Sequence, residues 1–401
     1  MPSVTVAGAG GSRIALTFSA TENFVFARQL AGQITHALQT GAAIAYTDVS
    51  GPAPAVPPGL IGEVVQTRPG FAVLNAADKE VVVSAKSATI QGGGGAGETV
   101  LAGSGNLTFF TGAGSGTILA GKGNDLIVAP NAGGGDWTIL LGNGNDTVFA
   151  GSGNDFIATG SGRNVVKLGS GDDTVASGGR DTIVAGSGAA TVGTAAGGDV
   201  VRGGSGLLTF IGGACGSTVT GGTGSVTIFG GQGGGVFEGG SAGNNLIFAG
   251  DGRSTIAGGG PGDQLYAAGA AGQVIRAGTG NETLSGVFSS GNNFYAAGSG
   301  PDEVDLGTGK DTVAAGFGQA TINAGTGADQ FRFSYGAQHG PDTITGFKPG
   351  DTVKLEGYIP NQVANSLLNA QVANGATTIV LADQTHITFT GVTNLKPTDF
   401  S

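Results

Sequence analysis

Cysteine, methionine and tryptophan each occur once in the 401 residues, as Cys215, Met1 and Trp137. A single cysteine excludes an intramolecular disulfide, so a chain working in an oxidising compartment needs another staple. Proline is sparse, at 13, and glycine does not recur at every third position, which excludes a collagen helix. Charged residues make up only 11% of the chain, and the balance of 17 Lys+Arg against 28 Asp+Glu gives a net charge of −11. That balance argues against nucleic acid or an anionic membrane as partner and favours cations as ligands. No run of 18 apolar residues occurs, and the N-terminal MPSVTVAGAGGSRIALTF lacks a basic segment followed by an apolar one. Neither a transmembrane segment nor Sec-type export is expected.

What is abundant is glycine, 83 residues, beside a hydrophobic fraction of 39% that is too high for a disordered linker. The glycines fall in a nine-residue repeat. Its clearest copies are GKGNDLIVA from Gly121, GNGNDTVFA from Gly142, GSGNDFIAT from Gly151, GSGDDTVAS from Gly169, GTGKDTVAA from Gly307 and GTGADQFRF from Gly325. The frame is G-x-G-x-D-x-U-x-x, with U apolar, and U can be followed from Val100 through Ile127, Val148, Val175, Phe210, Ile247 and Tyr295 to Phe331, 26 copies in all. Paired glycines allow tight turns, and the x-U-x that follows is a short strand with U inward and its neighbours outward. Two copies close a coil of 18 residues. The expected architecture is all-β, a parallel β-roll or β-solenoid of 18-residue coils with a small α+β N-terminal cap. Expected boundaries are 1–90 for an N-terminal capping or interaction region, 91–335 for the roll, and 336–401 for a C-terminal cap and export region.

The copies resemble the RTX (repeats-in-toxin) family, whose nonapeptide forms a calcium-bound β-roll. The tail, GADQFRFSYGAQHGPDTITGFKPGDTVKLEG with ITFTGVTNLKPTDFS, is similar to the C-terminal segment of RTX proteins exported by type I secretion. The resemblance implies Ca²⁺ as cofactor, a secreted or cell-surface location and an uncleaved C-terminal export signal. It also implies that an ion lies between turns on one edge, held by acids two copies apart. The candidate pairs are Asp125 with Asp146, Asp155 with Asp173, Asp181 with Asp199, and Asp311 with Asp329, with Asp263, Glu282 and Asp302 as further candidates. An Asp that follows glycine can also do no more than cap its own turn. Leu107, Leu208 and Val226 replace the acid with an inward apolar residue, so those coils should close without metal.

Two outward rows stand out. Thr recurs one residue before U, as Thr174, Thr191, Thr209 and Thr227, which suits either simple β-propensity or a plane for ice or polysaccharide. One residue after U stand Leu101, Leu119, Leu140, Ile211, Phe229, Phe248 and Tyr266, an apolar stripe that a soluble monomer rarely leaves bare. Its cover is either the N-terminal region or another copy of the chain. Residues 20–40 place Phe26, Leu30, Ile34 and Leu38 at four-residue spacing, with Ser19 or Thr21 as N-cap and Gly41 beyond the end, which reads as one amphipathic helix.

No catalytic constellation is apparent. His36, His339 and His386 lie far apart, and the G-x-G-x-x-G matches open strands rather than helices. The sequence is therefore read as a non-enzymatic, calcium-stabilised structural protein of the cell surface or extracellular (biofilm) matrix. It would associate with itself or with other matrix components as filaments or layers. The other reading is an adhesin or an ice- or polysaccharide-binding module using the Thr face.

Overall fold

A computed structural model describes residues 3–18, 21–337 and 340–401, with the side chains of Thr21 and Glu22 left out. Ser19 and the Thr21 side chain, the expected N-cap, and His339 therefore lie outside what is described. The chain divides into two compact units, Met1–Gly206 and Leu207–Ser401. Both are parallel β-solenoids, and the chain makes about 17 coils in all, with only 8% helix.

In the first unit an antiparallel hairpin, Ser3–Ala7 with Arg13–Thr17, precedes a helix, α1 (Thr21–Thr40). Gly41, at φ +75°, ends the helix in the left-handed region. Parallel pairing begins at once, Ala43–Thr47 with Ile61–Gln66, well before the first nonapeptide. From there strands alternate between two sheets. One runs to Ala190–Thr194 and the other to Val200–Arg202. The insertion between Ile127 and Ile139 lengthens a turn without exchanging the sheets. Ile139 pairs with Ile118, and Val148 with Ile127.

The second unit repeats the arrangement from Leu208–Ile211 and Ser217–Thr220 up to Asp342–Thr345 and Thr352–Glu356. A short helix, α2 (Pro360–Leu368), then leads to a terminal meander. His386–Thr390 pairs parallel to Asp342–Thr345 and antiparallel to Ala376–Val380.

The U positions form the core in both units. Every one from Val100 to Phe331 is at most 1% exposed, and the same row continues outside the repeat through Val64, Val81, Ile90, Ile344 and Val353. Burying a side chain of this size stabilises by about 1.5–3 kcal/mol. The row is one residue wide, so each coil depends on its neighbours.

Glycine serves a second purpose beyond unusual dihedrals. Gly153 and Gly171 do take positive φ, +128° and +119°. Gly169 does not, yet a Cβ there would lie 1.5 Å from Gly151 O. Successive turns stack backbone on backbone, and columns of glycine are the condition for that approach.

Candidate metal centre

The residue two before U ends each glycine turn and meets its equivalents one coil away. In the first unit Asp125 Oδ1 accepts the N–H of Leu107 at 2.7 Å, and Asp146 Oδ1 accepts that of Asp125 at 2.8 Å. The column continues with Asn164 taking the N–H of Asp146, Asp181 that of Asn164 and Asp199 that of Asp181. On the other sheet Asp155 takes the N–H of Trp137 at 2.7 Å and Asp173 that of Asp155 at 3.0 Å. In the second unit Asp311 takes the N–H of Asn293 at 2.7 Å and Asp329 that of Asp311 at 2.8 Å. All four sequence-paired sets of acids thus share an edge, one coil apart.

Each link uses one oxygen. The other, Oδ2, is buried without a hydrogen-bond partner in Asp125, Asp146, Asp155, Asp311 and Asp329. Burial, opposed by the N–H bond and reinforced by a neighbouring carboxylate, pushes Asp125 and Asp155 up to about 7 and Asp146 and Asp329 to about 6. Burial also lifts Asp173 to about 6, and raises Asp199 and Asp311. An ionised carboxylate only accepts, so it can satisfy neither its neighbour's free oxygen nor the turn carbonyls. A column of such groups calls for protons or a cation.

The amide-bearing copies make the contrast. Asn245 Oδ1 accepts the N–H of Val226 just as an Asp would, but its Nδ2 donates to Gly240 O at 2.7 Å. Asn164 donates to Thr159 O, Asn293 to Gly291 O, and Gln273 Nε2 to Ala268 O. In these turns a side-chain N–H satisfies a turn carbonyl to which an ionised acid could donate nothing. The sequence signal for such a turn is an Asn or Gln, in place of the acid, two residues before U.

A hard divalent cation fits the acidic turns. Among the described residues no three His, Cys, Asp or Glu side chains converge as a ligand group. An ion would instead take carboxylates from successive coils and complete a shell of six or more oxygens from turn carbonyls. Asp125 with Asp146, Asp155 with Asp173, and Asp311 with Asp329 each set two carboxylates one coil apart on one edge, with at least one Oδ2 in each pair lacking a hydrogen-bond partner. Asp181 differs. Its Oδ2 accepts from Thr159 Oγ1 at 2.6 Å and Ser177 Oγ at 2.7 Å, and its Oδ1 from Asn164 Nδ2 at 2.9 Å. Its carboxylate is saturated by protein donors, so the Asp181–Asp199 turn has less need of a metal than the sequence suggested.

Two features lie beyond the expected set. Asp342 and Asp351 extend the columns, accepting the N–H groups of Ala320 and Asp329. A second, exposed ladder runs in the opposite sense, with Asn106 accepting from Asn124, Asn124 from Asn145, and Asn145 from Arg163. Its sequence signal is the residue just before the Asp in G-x-G-N-D.

The apolar stripe divides between the units. In the first, Leu101 and Leu119 are fully buried beneath α1 and the hairpin, in one cluster with Leu16, Leu30 and Ile34, and Leu140 packs at its margin. Asn23 Nδ2 ties the helix to Leu141 O at 3.0 Å. In the second, Ile211 is 49% and Phe229 42% exposed, with Phe248 and Tyr266 half-buried and Phe288 62% exposed beside them. Phe229 stacks on Phe248 at 5.5 Å, and Phe248 on Tyr266 at 4.5 Å, both at 10° between planes.

Residues 140–175, 239–274 and 289–322 match the family of the RTX calcium-binding nonapeptide repeat, in four copies. The chain carries RTX repeats. RTX nonapeptides are calcium-binding motifs, and the matched segments contain Asp146, Asp155, Asp173, Asp263 and Asp311. RTX-repeat proteins are typically secreted, and among the described residues no helix is long and apolar enough to cross a membrane. A comparison with curated proteins gave no match.

Proposed function

We propose that this is a structural protein of the cell surface or extracellular matrix, exported by type I secretion, locked by external Ca²⁺ at its Asp-paired turns and assembling with copies of itself. The observation that carries the assembly is the bare ridge of Ile211, Phe229, Phe248 and Tyr266 in residues 207–401. The same row in residues 1–206 is roofed by α1. Because the rings stack face on face, they offer their edges outward. A ridge of edges is a poor platform for a flat sugar, which needs ring faces. It suits interdigitation with the same ridge of a second copy, as packed sheets do.

Sedimentation velocity in millimolar Ca²⁺ tests this. The wild-type chain should run as an oligomer or filament and Phe229→Ser/Phe248→Ser as a monomer, and a strictly monomeric wild-type chain overturns the proposal. The adhesin reading draws support from the paired Thr209 and Thr227 on adjacent strands. If it holds instead, replacing those threonines abolishes binding to polysaccharide or ice, while the Phe variants bind normally.

A further inference from the structure

One turn at the end of the second unit is held by neither an amide nor a bare pair of acids. Lys348 Nζ lies 2.7 Å from Gly325 O, 3.5 Å from Asp351 Oδ1 and 3.9 Å from Asp329 Oδ2. Asp351 Oδ1 also accepts the N–H of Asp329 at 2.9 Å, and its Oδ2 accepts the Lys348 N–H at 3.0 Å. Both carboxylate side chains are 0% exposed, whereas Lys348 is 33% exposed and reaches in from the surface. A glycine-turn carbonyl and two carboxylates from successive coils are the oxygen types that the acidic turns offer a metal, and here they surround an ammonium.

We infer that Lys348 is the built-in cation of this last turn, closing a latent divalent-cation site made by Gly325, Asp329 and Asp351, so that the end of the solenoid is ordered without calcium. The inference rests on the reading of the acidic turns as calcium sites. An ammonium on its own chain brings no association cost and is not removed by chelators. It carries one charge and three donors, enough for one carbonyl and two acids but not for a column of them. An exposed ion pair is worth little, but a pair of buried carboxylates stripped of its cation is costly. Lys79 shows related chemistry in the first unit, where its Nζ lies 2.7 Å from Ala96 O. Its charge there opposes the burial that lifts Glu98 to about 7.

The test counts bound ions on the full-length chain by equilibrium dialysis with Ca²⁺, and follows amide hydrogen exchange over residues 325–356. Lys348→Met should bind one more Ca²⁺ per chain than wild type. In EGTA its amides in this segment should exchange about tenfold faster than wild type, since buried acceptors lose their partner, and Ca²⁺ should restore them. Lys348→Met/Asp351→Asn should return to the wild-type count, which separates a gained site from general unfolding. Equal counts in wild type and Lys348→Met, with wild type binding Ca²⁺, overturn the inference alone. A wild-type chain that binds no Ca²⁺ overturns the calcium reading and the inference with it.

Discussion

Replacing Asp155 by Asn separates the two ways in which an acidic turn can be completed. The amide keeps the acceptor for the Trp137 N–H and adds a donor for the turn carbonyls, as Asn164, Asn245 and Asn293 already do. In wild type, burial lifts the Asp155 carboxyl from 3.8 to about 7. A folded-state pKa above the unfolded value means that the folded chain holds the extra proton between those limits, so stability falls as pH rises from about 4 to about 7. At about 1.4 kcal/mol per pH unit, the calcium-free coil loses about 4 kcal/mol by pH 8 and only about 2 kcal/mol by pH 5. Asp155→Asn is spared this loss. In EGTA it should therefore be more stable than wild type, and more so at pH 8 than at pH 5 by about 2–3 kcal/mol. In excess Ca²⁺ the order should reverse, because a ligand charge is gone. Urea unfolding followed by fluorescence of the single tryptophan, Trp137, whose N–H Asp155 accepts, reads the adjacent coil. Destabilisation by Asp155→Asn in EGTA at pH 8, or an effect that does not depend on pH, would refute the reasoning.

Other outcomes follow from the same geometry. Calcium binding at pH 6 should release about one proton per Asp pair, and apparent affinity should fall as pH drops below 7, both measurable by calorimetry in buffers of different ionisation enthalpy. Gly169→Ala, whose Cβ would lie 1.5 Å from Gly151 O, should cost about 3 kcal/mol in chemical denaturation even in Ca²⁺. Gly193→Ala, with open space at its Cβ, should cost little. Leu119→Ala, beneath α1, should cost about 2–5 kcal/mol and raise binding of an apolar dye, whereas Phe229→Ser should lower dye binding without loss of stability.

The solenoid was legible because its signal is chemical and periodic. A buried residue every nine positions, flanked by glycines that nothing else could replace, leaves one architecture. The coils between Ala43 and Gln91 fall inside the region expected to be an N-terminal cap, since Val64, Val81 and Ile90 are buried without the glycine frame, and pairing rather than motif keeps them in register. Which acids share an edge was also legible, because the spacing of two copies fixes it. What the spacing did not reveal was how each carboxylate is completed. Ser177 reaches Asp181 from the start of its own turn and Thr159 from the coil before, and Lys348 meets Asp329 across two intervening strands. The stripe was visible as well, but Leu119 and Phe229 look alike in sequence. Only the seating of α1 distinguishes a core residue from an exposed one.

The central claim is that acidic turns close on Ca²⁺ and amide turns close on themselves. Residue-resolved amide exchange of the full-length chain in EGTA and in Ca²⁺ tests it most directly. Ca²⁺ should slow exchange at the N–H groups bound to Asp oxygens, those of Leu107, Asp125, Trp137, Asp155, Asn293 and Asp311, and leave the N–H of Val226, held by Asn245, unchanged. Equal protection at both sets, or none at either, would contradict it.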